Sequence, residues 1–160
     1  MIITKEQLRE VRVRHSMETI GFATGAYHLI HPGHVYFLNK CKDFCDVLVV
    51  AVAHDEITRF KRSTVINTKQ RAYMVDNVRS VDYTLSEDGR MPPKNIEGIV
   101  KRLQPDVWIT GMDNPNLQKY SYVAKHNNVR MFQVGRFTED IFNISTTEII
   151  RRLRHGYDKR

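Results

Sequence analysis

Three histidines three residues apart, His28, His31 and His34, stand in the stretch GFATGAYHLIHPGH between Gly21 and His34. The apolar residues before it read as a strand, and the spacing after it reads as a helix. Pro32 suits a first helical turn, where its missing N–H costs nothing. Gly33 has no side chain, so an anion can approach the backbone closely. Free N–H groups and the positive end of a helix attract phosphate. His31 and His34 add two ring donors at that same end. This is a phosphate site suited to stabilising charge on a phosphorus under attack. Two other readings stay open: turn histidines without a role, or a metal site. The metal reading lacks a fourth ligand at useful spacing, and no protein-held metal is expected.

Three further segments could join that chemistry. Ser145, Thr146 and Thr147 stand where the last helix must begin. Hydroxyl residues there cap free N–H groups, but three in a row exceed what capping needs. The strand Val107 to Thr110 ends at Gly111, and Asp113 follows, either as a loop cap or as a ribose or acceptor contact. The stretch Arg59 to Arg62, RFKR, lies in a long polar segment. A lysine there could neutralise phosphate charge, or the stretch could be a solvated basic loop. Arg71 and Arg79 face the same choice.

The elements that position these residues alternate. Helical spacing covers Thr4–His15, with Leu8 and Val11 on one side, and Gly33–Phe44, with Val35, Leu38 and Cys41. It recurs in Thr68–Val78, with Met74 and Val78 on one face, and in Pro92–Leu103. The last two helices are Leu117–His126 and Ser145–Leu153, the latter with Ile149, Ile150 and Leu153 inward. Strands are expected at Thr19–Thr24, Val47–Val52, Asp82–Leu85, Val107–Thr110 and Arg130–Val134. Val47–Val52 is the β-branched run expected of a strand buried on both faces. Strands alternating with helices mean βαβ units and a parallel sheet. Ligands then bind at the carboxyl ends of strands, near the switch point.

Length and composition bound the class. One domain is expected over residues 1–160, with an N-terminal helix in 1–17 and a basic tail in 155–160. Cys41 and Cys45, four apart on one helix face, do not suit a disulfide. No signal-peptide pattern opens the chain, and the longest apolar run, Val47 to Ala53, is far too short to cross a bilayer. A cytoplasmic chain without a membrane partner is the expectation. The net charge of +7 calls for a polyanionic partner or is solvated surface.

Together the segments resemble the cytidylyltransferase-like nucleotidyltransferases, marked by a His-x-Gly-His signature. The resemblance rests on Gly25-Ala26-Tyr27-His28, His31-Pro32-Gly33-His34, Lys61, Gln70-Arg71 with Val81-Asp82, Gly111-Met112-Asp113 and Ile144-Ser145-Thr146-Thr147. These stand in order over about residues 18 to 154. It implies a Rossmann-like, doubly wound sheet of about five parallel strands with helices on both faces. It implies in-line attack of a phosphorylated small acceptor, such as a sugar or polyol phosphate, on the α-phosphorus of a nucleoside triphosphate, with magnesium and commonly as a homodimer. His31, His34 and Lys61 would act on the reacting phosphate. Thr24, Gly25, Ala26, Tyr27, Gly33, Gly111, Asp113, Arg136, Ile144, Ser145, Thr146 and Thr147 would hold the nucleotide. His28 and Arg71 would meet the acceptor. Thr64 to Arg71 and Leu103 to Asp113 are most similar to glycero-manno-heptose-phosphate adenylyltransferases. The His-Pro-Gly-His and Ile-Ser-Thr-Thr segments fit glycerol-3-phosphate cytidylyltransferases equally, so the base stays between ATP and CTP, leaning to ATP. The chain departs from the pattern twice: His28 replaces the family's aspartate, and the link from Arg136 to Asn143 is longer than usual. The competing class is a basic Rossmann-like module that binds nucleotide or nucleic acid without chemistry. Nucleic acid is not the expected partner, because no aromatic-interleaved basic patch is present.

Overall fold

The computed structural model describes residues 1–56, 65–86, 96–135 and 144–155. Six strands form one sheet: β1 (Ile2–Ile3), β2 (Ile20–Gly25), β3 (Val47–Val52), β4 (Tyr83–Ser86), β5 (Val107–Gly111) and β6 (Arg130–Val134). Their order is β1-β4-β3-β2-β5-β6, and every pairing is parallel. The helices are α1 (Leu8–Arg14), α2 (Pro32–Lys42), α3 (Thr68–Asp76), α4 (Ile96–Leu103), α5 (Leu117–His126) and α6 (Thr146–His155).

Alternation along β3 explains why both faces are covered. Val47, Val49 and Ala51 pack into one apolar layer with Leu8 and Val11 of α1, Ile99, Val100 and Leu103 of α4, and Val123 and Ala124 of α5. Leu48, Val50 and Val52 pack into the other, with Leu38 and Cys41 of α2 and Ala72 and Val75 of α3. A parallel strand buried twice has no polar face, which is the pattern its sequence carries. Cys41 is buried, Cys45 is half-buried, and both are free thiols. Among the described residues no helix is long and apolar enough to cross a membrane.

Some expectations change. The sheet has a sixth strand, β1, whose two residues pair with Thr84 and Leu85 of β4. Two residues are too few to show a period, so only the pairing reveals it. The inward face of α3 is Thr68, Arg71, Ala72 and Val75, not the line through Met74 and Val78. The helix stops at Asp76, so Val78 is buried from the turn that follows rather than from a helix face. Val35, at helical spacing with the buried Leu38 and Cys41, is 36% exposed, and Leu153, expected inward, is 69% exposed. The described part of the fourth helix begins at Ile96; its proposed prolines at 92–93 lie outside the described residues.

The amino ends of the strands are tied by carboxylates. Asp106 Oδ2 accepts from the Ile20 N–H (2.8 Å) and from Arg12 (2.9 Å). Asp82, part of the Val-Asp pair of the resemblance, accepts from the Leu48 N–H (2.7 Å) and pairs with Lys42 at the end of α2. Asp82 therefore serves the end of the sheet away from the His-rich turn. At the carboxyl ends the sheet opens. β2 pairs with β3 over six residues but with β5 only at Gly21–Val107 and Phe22–Trp108. β2 and β5 part beyond those pairs, which places a crevice where the strand order reverses.

Candidate active site

A cavity of about 640 Å³ lies in that crevice. It is lined by the ends of β2 (Thr24, Gly25), β5 (Gly111) and β6 (Val134), by the turn carrying Ala26, Tyr27 and His28, and by the first turns of α2 and α6. Its volume lies within the usual range for small-molecule sites.

The turn after β2 is held in an unusual shape. Tyr27 has φ of 49°, the left-handed region that disfavours side chains, and it is 3% exposed. Its ring folds back over Gly25, where a Cβ would lie 2.8 Å from two ring carbons. Glycine is required there by that close approach. Burial pushes the Tyr27 phenol well above its ordinary range, so it stays protonated.

His31 is the N-cap of α2, in extended backbone, and Pro32 opens the helix. The His31 side chain does not cap the helix; Pro32 brings no N–H and the His34 N–H donates to the His31 carbonyl oxygen (2.8 Å), which leaves the Gly33 N–H as the first-turn donor for a ligand. The His31 and His34 rings stack with centroids 3.8 Å apart, and Tyr27 meets His34 edge-on at 5.2 Å. Burial, then the neighbouring His31 and more weakly His28, push the His34 imidazole down to about 3, against a hydrogen bond with the Leu29 backbone that acts the other way. His34 is therefore a neutral imidazole near pH 7, with a single ring N–H. His28 lines the same cavity and adds a third imidazole.

The second helix start meets the first. A Cβ on Gly33 would lie 3.2 Å from the Ile144 carbonyl oxygen and 3.1 Å from the His31 ring, so α2 and the residue leading into α6 are in contact. Ser145 Oγ accepts from the Glu148 N–H (3.2 Å), which is a helix cap. Besides that cap, Ile144, Ser145, Thr146 and Thr147 all line the cavity. Two helix N-termini thus face one space, each favouring negative charge. Gly111 and Asp113 line the wall opposite, with Asp113 Oδ1 3.0 Å from the position of a Cβ on Gly111.

Arg71 lies elsewhere. It does not line the cavity, is fully buried, and directs its guanidinium to backbone and side-chain oxygens. The α3 register aims it inward, which is why an arginine expected at the acceptor becomes part of the packing. Arg79 is exposed beyond the end of α3. Lys61 and Arg136 lie outside the described residues, as does the RFKR stretch.

Several lining residues were not among those singled out from the sequence. Tyr36 and Phe37 reach the cavity from the second turn of α2, and Tyr120 from α5, where its ring stacks on Trp108 at 4.7 Å. The α2 spacing from His34 offered a clue to the first pair; Tyr120 comes from a distant helix and offered none. Glu148 also lines the cavity, and hydrogen bonds from Arg151 and Arg152 hold its carboxyl down to about 2. The two guanidinium groups thereby partly offset the charge of this carboxylate at the cavity wall.

Among the described residues no group of three or more His, Cys, Asp or Glu side chains is placed to hold a metal ion. Asp113 and Glu148 are the carboxylates among the described lining residues. This donor set fits a hard cation that takes most of its oxygens from water and substrate phosphates.

A parallel sheet with a switch-point crevice, filled by two helix starts and paired histidines, defines a nucleotide-handling α/β protein. Residues 22–152 match the family described as cytidylyltransferase-like. The chain belongs to that family of nucleotidyltransferases. Among its relatives is the bifunctional protein HldE of Helicobacter pylori, 29% identical over 161 residues that cover 98% of this chain and 32% of that protein. The chain thus spans about a third of HldE's length. The FAD synthases of Methanohalophilus mahii and Archaeoglobus fulgidus are 36% and 31% identical, over 79% and 86% of this chain and 96% and 99% of theirs. The fold is shared with a lipopolysaccharide core biosynthesis protein from Thermoplasma volcanium, at a TM-score of 0.61 and 24% identity over 77% of this chain and 99% of that one. It is also shared with pantoate-beta-alanine ligase of Francisella tularensis, at 0.64 and 18% over 94% and 75%.

Proposed function

We propose that this protein transfers a nucleoside monophosphate from a nucleoside triphosphate, ATP in preference to CTP, to a phosphorylated small acceptor. The observation that carries the reading is the convergence of the α2 and α6 starts, with His31 and His34, on one cavity. An acceptor phosphate oxygen forms a bond to the α-phosphorus, the bond to the β-phosphate oxygen breaks, and pyrophosphate leaves. A phosphate monoester is already largely ionised near pH 7, so its oxygen needs no general base. That matches a His34 kept neutral by its surroundings.

His31 donates a ring N–H to the α-phosphate oxygens, where negative charge builds as the fifth bond forms, and His34 turns its single N–H from the Leu29 backbone to them when substrate binds. The α6 start, with Ser145, Thr146 and Thr147, holds the departing phosphates. Thr24, Gly25, Ala26, Tyr27, Gly33, Gly111, Asp113 and Ile144 shape the nucleotide subsite, and His28 faces the acceptor. Lys61 and Arg136 supply further positive charge to the phosphates. Asp113 and Glu148, the carboxylates of the lining, would be the nearest protein partners for a magnesium ion carried mainly by water and phosphate oxygens, which would supply neutralisation of the polyphosphate charge. ATP is favoured because the FAD synthases, by name, make a product that contains an adenylyl group. Sugar phosphates, polyol phosphates, alcohol-amine phosphates and flavin mononucleotide are the acceptors to try.

The working unit is proposed to be a homodimer. Ile30, Pro32, Val35, Tyr73, Met74 and Val78 line a largely apolar groove beside the site, and Tyr73 is 66% exposed. Exposed apolar patches of this kind commonly mark contact surfaces.

The test is pyrophosphate release with each of four triphosphates against that acceptor panel. Release is expected with ATP and one acceptor class, in the presence of magnesium. His34→Ala should lower kcat by about 10²-fold or more, the scale of losing a preorganised donor. A folded His34→Ala protein with unchanged kcat would remove His34 from the mechanism. Tight salt-sensitive binding of oligonucleotides, with no pyrophosphate from any pair, would favour the binding module instead.

A further inference from the structure

Arg71 is fully buried and uses its guanidinium on three segments. Nε donates to the Ile66 carbonyl (3.1 Å), just before α3. Nη2 donates to Asp55 Oδ1 (2.7 Å), after β3, and to Thr68 Oγ (3.1 Å). Nη1 donates to the Ala26 carbonyl, in the turn that lines the cavity. Asp55 and Thr68 reinforce the clasp: the Asp55 N–H donates to Thr68 Oγ (3.0 Å), and the Thr68 N–H donates to Asp55 Oδ2 (3.1 Å). Burial acts to raise the Asp55 carboxyl, but the hydrogen bonds from Arg71 and Thr68 prevail and hold it below its ordinary value.

A buried guanidinium is a costly way to fill space, because its desolvation must be offset by well-placed partners. An apolar side chain would pack there without that penalty. What the guanidinium adds is direction. In a trans peptide the carbonyl and the following N–H point opposite ways. Fixing the Ala26 carbonyl on Arg71 therefore fixes the Tyr27 N–H on the other side of that peptide. Tyr27 is the residue in the disfavoured left-handed backbone, packed against Gly25 and His34. Its shape persists only if the surroundings impose it.

We propose that Arg71 is a positioning residue for nucleotidyl transfer, holding the Ala26–Tyr27 peptide, and with it the turn that lines the cavity, in one register. This rests on the reading of the cavity given above. Arg71 touches no substrate, so its loss acts on kcat more than on the KM of either substrate. Lysine keeps the charge but lacks the planar fork, so it does not replace arginine here.

The experiment compares the wild-type protein with Arg71→Ala, Arg71→Lys and Asp55→Asn. Steady-state kcat and KM are measured with and without added guanidinium ion, and the Tyr27 amide is followed by ¹⁵N NMR. Arg71→Ala is expected to lower kcat about 10-fold or more, the scale of a misplaced reacting group, with both KM values near wild type. Guanidinium ion should restore part of that kcat, Arg71→Lys should stay impaired, and the Tyr27 amide should shift in all three variants. A folded Arg71→Ala protein with wild-type kcat overturns the proposal. So does a loss confined to acceptor KM, which would make Arg71 a substrate contact. If Arg71→Ala does not fold, Asp55→Asn decides, and an unchanged kcat with an unmoved Tyr27 amide overturns it. Absence of pyrophosphate release from the wild-type protein itself fails the nucleotidyl-transfer reading. A Tyr27 amide that still moves in the variants would then leave the clasp standing and remove only its link to catalysis.

Discussion

His34 shows how one residue's surroundings set its chemistry. Burial and the stacked His31 ring favour its neutral form, so it brings the cavity no full charge. The sign of the resulting pH dependence follows. The unfolded chain has this imidazole at its ordinary value of 6.5, and the folded chain has it at about 3. Between those values the unfolded state binds more protons, so stability rises with pH by up to about 1.4 kcal/mol per unit and levels off above the ordinary value. The denaturant midpoint of the wild type should fall relative to that of His34→Asn as the pH falls through that window. The His34 ring signals should not titrate in the upper half of the window, and a titration near 6.5 would refute the assignment. Gly25 offers a second test at this scale. A methyl group there would meet the Tyr27 ring at 2.8 Å, so Gly25→Ala should cost about 1–3 kcal/mol in urea unfolding.

At the scale of elements, the two helix starts differ in how they are closed. α2 begins at His31 without a side-chain cap, whereas α6 begins at Ser145 with one. Ser145→Ala should therefore destabilise the fold by about 1 kcal/mol and also raise the KM for triphosphate. A stability loss with unchanged KM would leave the hydroxyl as a cap alone. α3 begins differently again, with Asn67 and Gln70 closing a reciprocal capping box. That box fixes the helix register, and the register turns Arg71 into the core. The sequence pattern Asn67-Thr68-Lys69-Gln70 allowed a helix start there, but the direction of Arg71 depended on what lay beneath it. Leu153 illustrates the opposite limit. Its spacing with Ile149 and Ile150 suggested a buried stripe, yet it is 69% exposed, because periodicity marks a face without supplying a partner for it.

Across the whole molecule, a net charge of +7 should draw polyphosphate toward the cavity. Raising ionic strength should raise the KM for triphosphate while changing kcat less, because exposed charges are screened over about 8 Å at physiological salt. A KM independent of salt would assign the excess charge to solvated surface. The apolar groove at Val35 and Tyr73 carries its own prediction. Light scattering should give a dimer mass for the wild type, and Tyr73→Glu should shift it toward monomer. A monomeric wild-type protein would end the homodimer proposal.

The sequence by itself determined the alternation of strands and helices, because β-branched runs such as Val47–Val52 and the spacing of apolar residues in α4 and α5 are local signals of burial. It determined the His-Pro-Gly-His helix start as well, since proline and glycine constrain the backbone wherever they stand. Only the tertiary structure decided that the α2 and α6 starts meet, because their contact at Gly33 and Ile144 joins residues 111 positions apart. Only it placed Arg71 against Ala26 and Asp55 instead of at a substrate. The same holds for β1, whose two residues become a strand by pairing with β4 and not by any period of their own. The division has one physical origin. Local backbone preferences and burial periodicity are written along the chain, whereas the direction of a particular side chain is settled by partners that only folding brings near.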